Sequence, residues 1–252
     1  MLITVLGKSP SWEDAGGACT AYLVQEGDYT LLLDCGTGSF AKLRLAHDYL
    51  DVDAVLITHL HSDHFFDLVP FSYGLTLTSR TRRAEPPRLC APPGAREVFR
   101  QMLGAWGKPD LIESAFALEE YDPAAGLELG PLRARLREVP HFTRTFAVDL
   151  SDGRGRLTFG ADCGPNDALV ELARGTDVLL IEAALTEPED PSEPRGHLTP
   201  REAGEHGRRA GAKRLVVTHF SDEVDREWLR SEAEAGCGGP VELAAEGAQY
   251  TI

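Results

Sequence analysis

The sequence predicts an α/β fold: a layered sandwich of two similar halves whose strands end at a common edge. Three observations carry this. An apolar run ends in Asp34-Cys35-Gly36, and a later one ends in Asp162-Cys163-Gly164. Likewise Val55 to Ile57 leads into Thr58-His59, and Leu215 to Val217 leads into Thr218-His219. Each half then reads as strands, an Asp-Cys-Gly turn, a helix, and a strand delivering Thr-His. Finally, residues 58–64 read Thr-His-Leu-His-Ser-Asp-His directly after the β-type run Ala54 to Ile57, so polar side chains emerge where a buried strand ends. The chain, residues 1–252, is read as one domain.

The elements follow in order. Leu2 to Leu6 is strand-like from the first residues. The Arg- and Pro-rich stretch from Ser79 to Pro93 reads as an exposed loop. Leu132, Ala134 and Leu136 alternate with Arg133, Arg135 and Arg137, giving a strand with one apolar and one basic face. Those arginines read first as a solvated face; the functional alternative is a phosphate contact. The strand Leu157 to Ala161 ends at Asp162, and Val178 to Ile181 ends at Glu182. Residues 187–196 cannot pack a core and form a loop. After His197, Thr199-Pro200-Arg201-Glu202 supplies an N-cap, a proline at the first helical position and a capping-box glutamate, and Gly211 is a natural stop.

Composition excludes several classes. Hydrophobic residues make up 42%, enough for a full core. No run approaches the eighteen or so apolar residues of a membrane span, and no secretion signal is read at the N-terminus. Five cysteines, odd in number and never in a Cys-x-x-Cys pair, suit a reducing cytosol, so a cytoplasmic location is expected. The net charge of −15 argues against gripping a long nucleic acid. Two bound dications would still leave about −11.

Three imidazoles and one carboxylate within six residues point to a metal site. A polar loop with chance histidines is the alternative. Neutral imidazole and carboxylate suit Zn²⁺ or Mn²⁺, and His59 and His61, two apart on extended chain, share a face. The heptapeptide offers His59, His61, Asp63 and His64; His141, Asp162 and His219, each at a strand end, offer three more. Six ligands and a bridge would serve two metals about 3.5–4 Å apart. His47 and His206, in charged helix-like surroundings, read as surface residues.

His-x-His-x-Asp-His with the three later ligands resembles the metallo-β-lactamase superfamily over essentially the whole chain. The resemblance implies a four-layer αββα sandwich, with His59, His61 and His141 on one metal, Asp63, His64 and His219 on the other, and Asp162 bridging. The continuation Asp63-His64-Phe65-Phe66-Asp67-Leu68 is similar to the phosphodiesterase branch, which includes ribonuclease Z and small cyclic-nucleotide phosphodiesterases. That branch also carries a glutamate after a buried strand and a histidine in a Gly-His-x-Thr segment, matched here by Glu182 and by His197 in Gly196-His197-Leu198-Thr199. The implied mechanism is attack by a metal-bridging hydroxide. Asp63 could also orient the hydroxide, and the Glu182–His197 pair would supply the leaving group's proton. Zn²⁺ is the expected metal, with Mn²⁺ and Fe²⁺ accepted by the same donors.

The sequence departs from ribonuclease Z. That enzyme's tRNA-gripping arm lies between the third histidine ligand and the bridging aspartate, where only 21 positions separate His141 from Asp162. With the acidic balance, this favours a small phosphodiester such as a 3′,5′-cyclic nucleotide over tRNA 3′ ends. A non-catalytic metal-fold binding protein is the rival from another class. The branch is commonly homodimeric, which the resemblance extends to this chain.

Overall fold

The computed structural model describes residues 1–81, 84–190 and 192–252. Three strands, β1 (Leu2–Gly7), β2 (Ala21–Glu26) and β3 (Tyr29–Leu33), precede helix α1 (Ser39–Ala46) and β4 (Ala54–Leu56). A four-residue turn of helix, α2 (Ser62–Phe65), leads into α3 (Leu68–Leu77), then β5 (Arg88–Ala91), α4 (Ala95–Gly104), α5 (Leu111–Ala115) and β6 (Ala117–Glu120). The second half runs β7 (Leu127–Leu129), β8 (Leu132–Val139), β9 (Thr145–Ser151), β10 (Arg156–Phe159), α6 (Asp167–Leu172) and β11 (Val178–Glu182). It finishes with α7 (Pro200–Ala210), β12 (Arg214–Thr218), α8 (Arg226–Cys237), β13 (Glu242–Leu243) and β14 (Gln249–Thr251).

These strands form two seven-stranded sheets, ordered β14-β1-β2-β3-β4-β5-β6 and β13-β12-β11-β10-β9-β8-β7. In each, an antiparallel pair (β2–β3, β9–β10) gives way to parallel strands (β4, β5; β11, β12). The period-2 side-chain alternation of a strand separates two apolar sets. One set, including Val5, Tyr22, Leu31 and Leu56 from the first sheet and Leu136, Val148, Phe159 and Leu180 from the second, meets between the sheets. The opposite faces are covered by helices: Leu32, Val55 and Leu89 pack with Phe71, Phe99 and Ile112, while Leu179, Ile181 and Val217 pack with Leu169, Ala203 and Leu229. The layers are therefore αββα. Strands buried on both faces carry continuous apolar runs, which is why Val178 to Glu182 is buried throughout.

Two sequence expectations change here. The stretch from Ser79 to Pro93 is not all loop, because Arg88–Ala91 is the buried strand β5, paired with both β4 and β6; residues 82 and 83 lie outside the described residues. Its four residues between prolines were too short to show a period. Pro191, within the expected loop at 187–196, also lies outside them. The two Thr-His pairs are not equivalent either. β4 lies beside β3, whereas β12 is separated from β10 by β11. The partner of β4 in the repeat is β11, which ends in Glu182, so the Thr-His match is a coincidence of composition. The Asp-Cys-Gly match survives, since each tripeptide follows the second strand of the antiparallel pair.

The helix after His197 begins as its sequence requires. Thr199 accepts from the Glu202 amide, Glu202 reaches back to the Thr199 amide at 3.0 Å, Pro200 occupies the first turn, and Gly211 closes the helix at φ 64°.

Candidate metal centre

The strands of both sheets deliver their polar ends to one edge. Three non-glycine residues there adopt left-handed backbone: Asp34 (φ 57°), Ala161 (φ 52°) and His219 (φ 53°). Such conformations cost energy and cluster where structure is built for function. Asp34 and Ala161 each follow the strand before a tripeptide turn, and His219 follows β12 directly. The first turn is close-packed: a Cβ on Gly36 would lie 1.9 Å from the Asp63 carbonyl oxygen, so glycine is required for α2 to sit where it does.

The donors expected from sequence converge into two groups. His59, His61, His141 and Asp162 form one; Asp63, His64, Asp162 and His219 form the other, with the donor atoms of each group within 4.8 Å of one another. In the first, His141 Nε2 lies 3.0 Å from His61 Nδ1, and Asp162 Oδ2 is 3.8 Å from His59 Nε2 and 4.0 Å from His141 Nε2. In the second, Asp162 Oδ1 is 3.2 Å from His64 Nε2 and Oδ2 is 3.1 Å from His219 Nε2, while Asp63 Oδ2 is 3.4 Å and 3.9 Å from the same two nitrogens. A tetrahedral ion with 2.0–2.1 Å bonds needs donor–donor edges of about 3.3 Å. The spacing fits.

A second observation agrees. Among the described residues, five buried side-chain polar atoms lack a hydrogen-bond partner, and four are His59 Nε2, His64 Nε2, His219 Nε2 and Asp162 Oδ1. Buried polar atoms are normally paired, so a convergence of orphans marks a place for a cation. The other ring nitrogens are occupied, and for His141 and His64 an acceptor partner places the proton on Nδ1. His141 Nδ1 donates to the Gly196 carbonyl (2.7 Å) and His64 Nδ1 to Asp34 (2.7 Å). His59 Nδ1 meets Thr58 Oγ1 (3.1 Å) and His219 Nδ1 meets Thr20 Oγ1 (2.8 Å). This is the outer support that orients imidazole ligands and raises their basicity. Asp34, Thr20 and Thr58 in these roles were not read from the sequence. For Asp34 a signal existed, because it opens the same tripeptide as Asp162.

The electrostatics also favour a cation. Burial pushes His59 well below the usual histidine range, and burial takes His141 down to about 4, so both are neutral donors at pH 7. Burial likewise disfavours a charged His64, but Asp162 and Asp34 overcome it and hold the ring well above its ordinary value. Such a cluster of buried carboxylates demands positive charge, which a metal can supply in place of protons.

Beside this centre, His197 Nδ1 donates to Glu182 Oε1 at 2.9 Å. Glu182 is fully buried and accepts three backbone amides as well, from Cys163 (2.8 Å), Ala184 (3.1 Å) and Leu198 (3.2 Å). Burial would lower His197, but the hydrogen bond and charge of Glu182 outweigh it and hold the ring at about 9. Its ring centroid lies 4.9 Å from His141 and 6.1 Å from His219.

The remaining residues singled out by sequence are outside the two donor groups. His206 is buried rather than on the surface: its Nδ1 donates to the Glu202 carbonyl at 2.7 Å and its Nε2 accepts the Asn166 amide at 3.1 Å. The polar residues around it in sequence lie on the other faces of an amphipathic helix, so neighbours along the chain misled. His47 is half-buried. Arg133, Arg135 and Arg137 are exposed on the outer face of β8, Arg133 paired with Glu128 and Arg135 with Asp149. Cys163 is wholly buried, and burial lifts its thiol well above the usual range, so it is no thiolate donor.

Known proteins resemble this architecture. A family model described as a beta-lactamase superfamily domain matches residues 29–220. The uncharacterized protein ML1173 of Mycobacterium leprae is 33% identical, over 99% of this chain and 88% of its own. The probable metallo-hydrolase YhfI of Bacillus subtilis is 28% identical over 98% of each chain. Its crystal structure superimposes with a TM-score of 0.89 at 25% identity, covering 99% of this chain and 98% of that one. A ribonuclease Z of Myxococcus xanthus is 30% identical over 97% of this chain and 95% of its own.

Proposed function

This chain belongs to the metallo-β-lactamase superfamily and is a divalent-metal hydrolase, and we propose that it is a two-metal phosphodiesterase acting on a small substrate such as a 3′,5′-cyclic nucleotide. The observation that carries this reading is the Glu182–His197 pair set against His141 and His219. Cleaving a phosphodiester requires a nucleophile, neutralised phosphate oxygens, and a proton for the departing alkoxide. His59, His61 and His141 would hold one ion, Asp63, His64 and His219 the other, with Asp162 shared. Ions held there, Zn²⁺ in our reading, would supply charge for the phosphate oxygens and a nucleophile from water near pH 7.

The chain's own groups provide the rest. Burial raises Asp63, but nearby His64, joined by His219, keeps its carboxyl below the usual range, so it can accept a hydrogen bond from attacking water. Glu182 keeps His197 protonated, and the saturated hydrogen bonding of Glu182 holds the ring in one orientation. His197 then gives the leaving oxygen its proton, or neutralises its charge.

The chain between His141 and Asp162 favours a small substrate. It forms the hairpin of β9 and β10, with no added arm to hold a folded RNA. The ribonuclease Z reading is kept as the alternative because of the 30% identity to the Myxococcus protein. Metal-loaded protein given 3′,5′-cyclic AMP and a precursor tRNA in parallel separates them. Chelator-sensitive release of AMP, with the tRNA left intact, is expected; cleavage of the tRNA at a matching rate would overturn the preference.

A further inference from the structure

Phe142, the residue after His141 in the turn between β8 and β9, is 61% exposed, whereas the strand aromatics Tyr22, Phe146, Phe159 and Tyr250 are buried. Its ring centroid lies 5.3 Å from that of His141 and 5.7 Å from that of His197. Among the described residues, the other strongly exposed aromatics, Trp12, Trp106, Trp228 and Phe66, make no ring contact with the site histidines. Phe142 is also seated rather than loose. A Cβ on Gly196 would lie 2.4 Å from Phe142 Cε2, so the ring occupies the space a side chain would need. That seat is itself fixed: the Gly196 carbonyl accepts from His141 Nδ1, and the Gly196 and His197 amides donate to Glu189 Oε2 at 2.8 and 3.2 Å.

A ring wedged on one side and open to water on the other, beside the proton donor, leaves apolar surface uncovered at the rim of a polar site. A flat heterocycle would cover it. Every nucleobase has a π-face, and stacking on an aromatic side chain is tolerant of base identity. We propose that Phe142 is the platform on which the nucleobase of the substrate stacks, so that the site selects phosphate esters carrying a base. This rests on the phosphodiesterase reading for the identity of the substrate, but the stacking is testable without turnover.

The test is calorimetric binding of adenosine 5′-monophosphate and of ribose 5-phosphate to metal-loaded protein, in wild type, Phe142→Ala and Phe142→Tyr. Both ligands present the same phosphate, and only one carries a base. Wild type should bind the nucleotide more tightly. Phe142→Ala should weaken it by about 10-fold or more, leaving ribose 5-phosphate within about two-fold, and Phe142→Tyr should retain the nucleotide's affinity. Equal affinity of wild type for both ligands would overturn the proposal. So would equal loss of both in Phe142→Ala, which would make the ring a prop for the site, or no loss of either. Protein that passes this test yet leaves cyclic AMP intact would refute the cyclic-nucleotide reading and leave the stacking assignment standing.

Discussion

The two Asp-Cys-Gly turns share a tripeptide, a place in the repeat and complete burial of the aspartate, yet they do opposite things. Burial lifts the Asp34 carboxyl above its ordinary range, with His64 only partly opposing. Burial acts on Asp162 in the same sense, but the charges of nearby His219 and His64 drive it well below. Asp34 has all its work within the protein, accepting from the Thr58 amide and hydroxyl (2.8 Å each) and from His64 (2.7 Å). Asp162 keeps an unpaired oxygen at the junction of two donor clusters. The neighbouring strand makes the difference. In the first half β4 brings Thr58, which satisfies Asp34; in the second β11 brings Glu182, which turns to Cys163 and His197 and leaves Asp162 free. A duplicated turn thus yields one candidate ligand and one support.

Substitutions at the two aspartates sharpen this contrast most. Asp162→Ala should abolish turnover and leave fewer than two bound ions per chain by elemental analysis. Asp34→Ala should leave the ligand set intact but weaken metal affinity by about 10–100-fold, the usual cost of losing an outer partner of a ligating histidine. Equal effects would erase the distinction. Next in size, His197→Ala should slow turnover by about 10²–10⁴-fold while two ions remain bound; full activity in that variant would remove the proton-donor role.

Smaller effects probe the scaffold. Gly36→Ala forces a Cβ against the Asp63 carbonyl, and overpacking of this kind costs about 1–3 kcal/mol, measurable by denaturant titration. The smallest concerns pH. His197 is held at about 9 against an ordinary 6.5. Its folded value is raised, so its contribution to stability is complete below about pH 6.5 and lost as pH rises through about 9. Chelated wild type should therefore lose more melting temperature than chelated His197→Ala between those values, and parallel curves would contradict the Glu182 interaction.

Much of this was legible in the residues. The strand-end heptapeptide named four donors, and the three later ones stood at strand ends because a sandwich brings such ends to one edge. The α7 start was readable because capping is local chemistry. What the sequence hid was relational. β5 is four residues of buried strand between prolines, with no room for a period to show. The burial of His206 depends on which helix face meets the sheet, and its chain neighbours belong to the other faces. The support by Asp34 depends on which strand lies beside the turn, which is topology and not pattern.

The most direct test of a shared two-ion centre is cyclic AMP hydrolysis as ions are returned to chelated protein one equivalent at a time, with bound metal counted in the same samples. The account predicts little turnover at one ion per chain and a steep rise as the second binds. Full activity at one ion, or none at two, would contradict it.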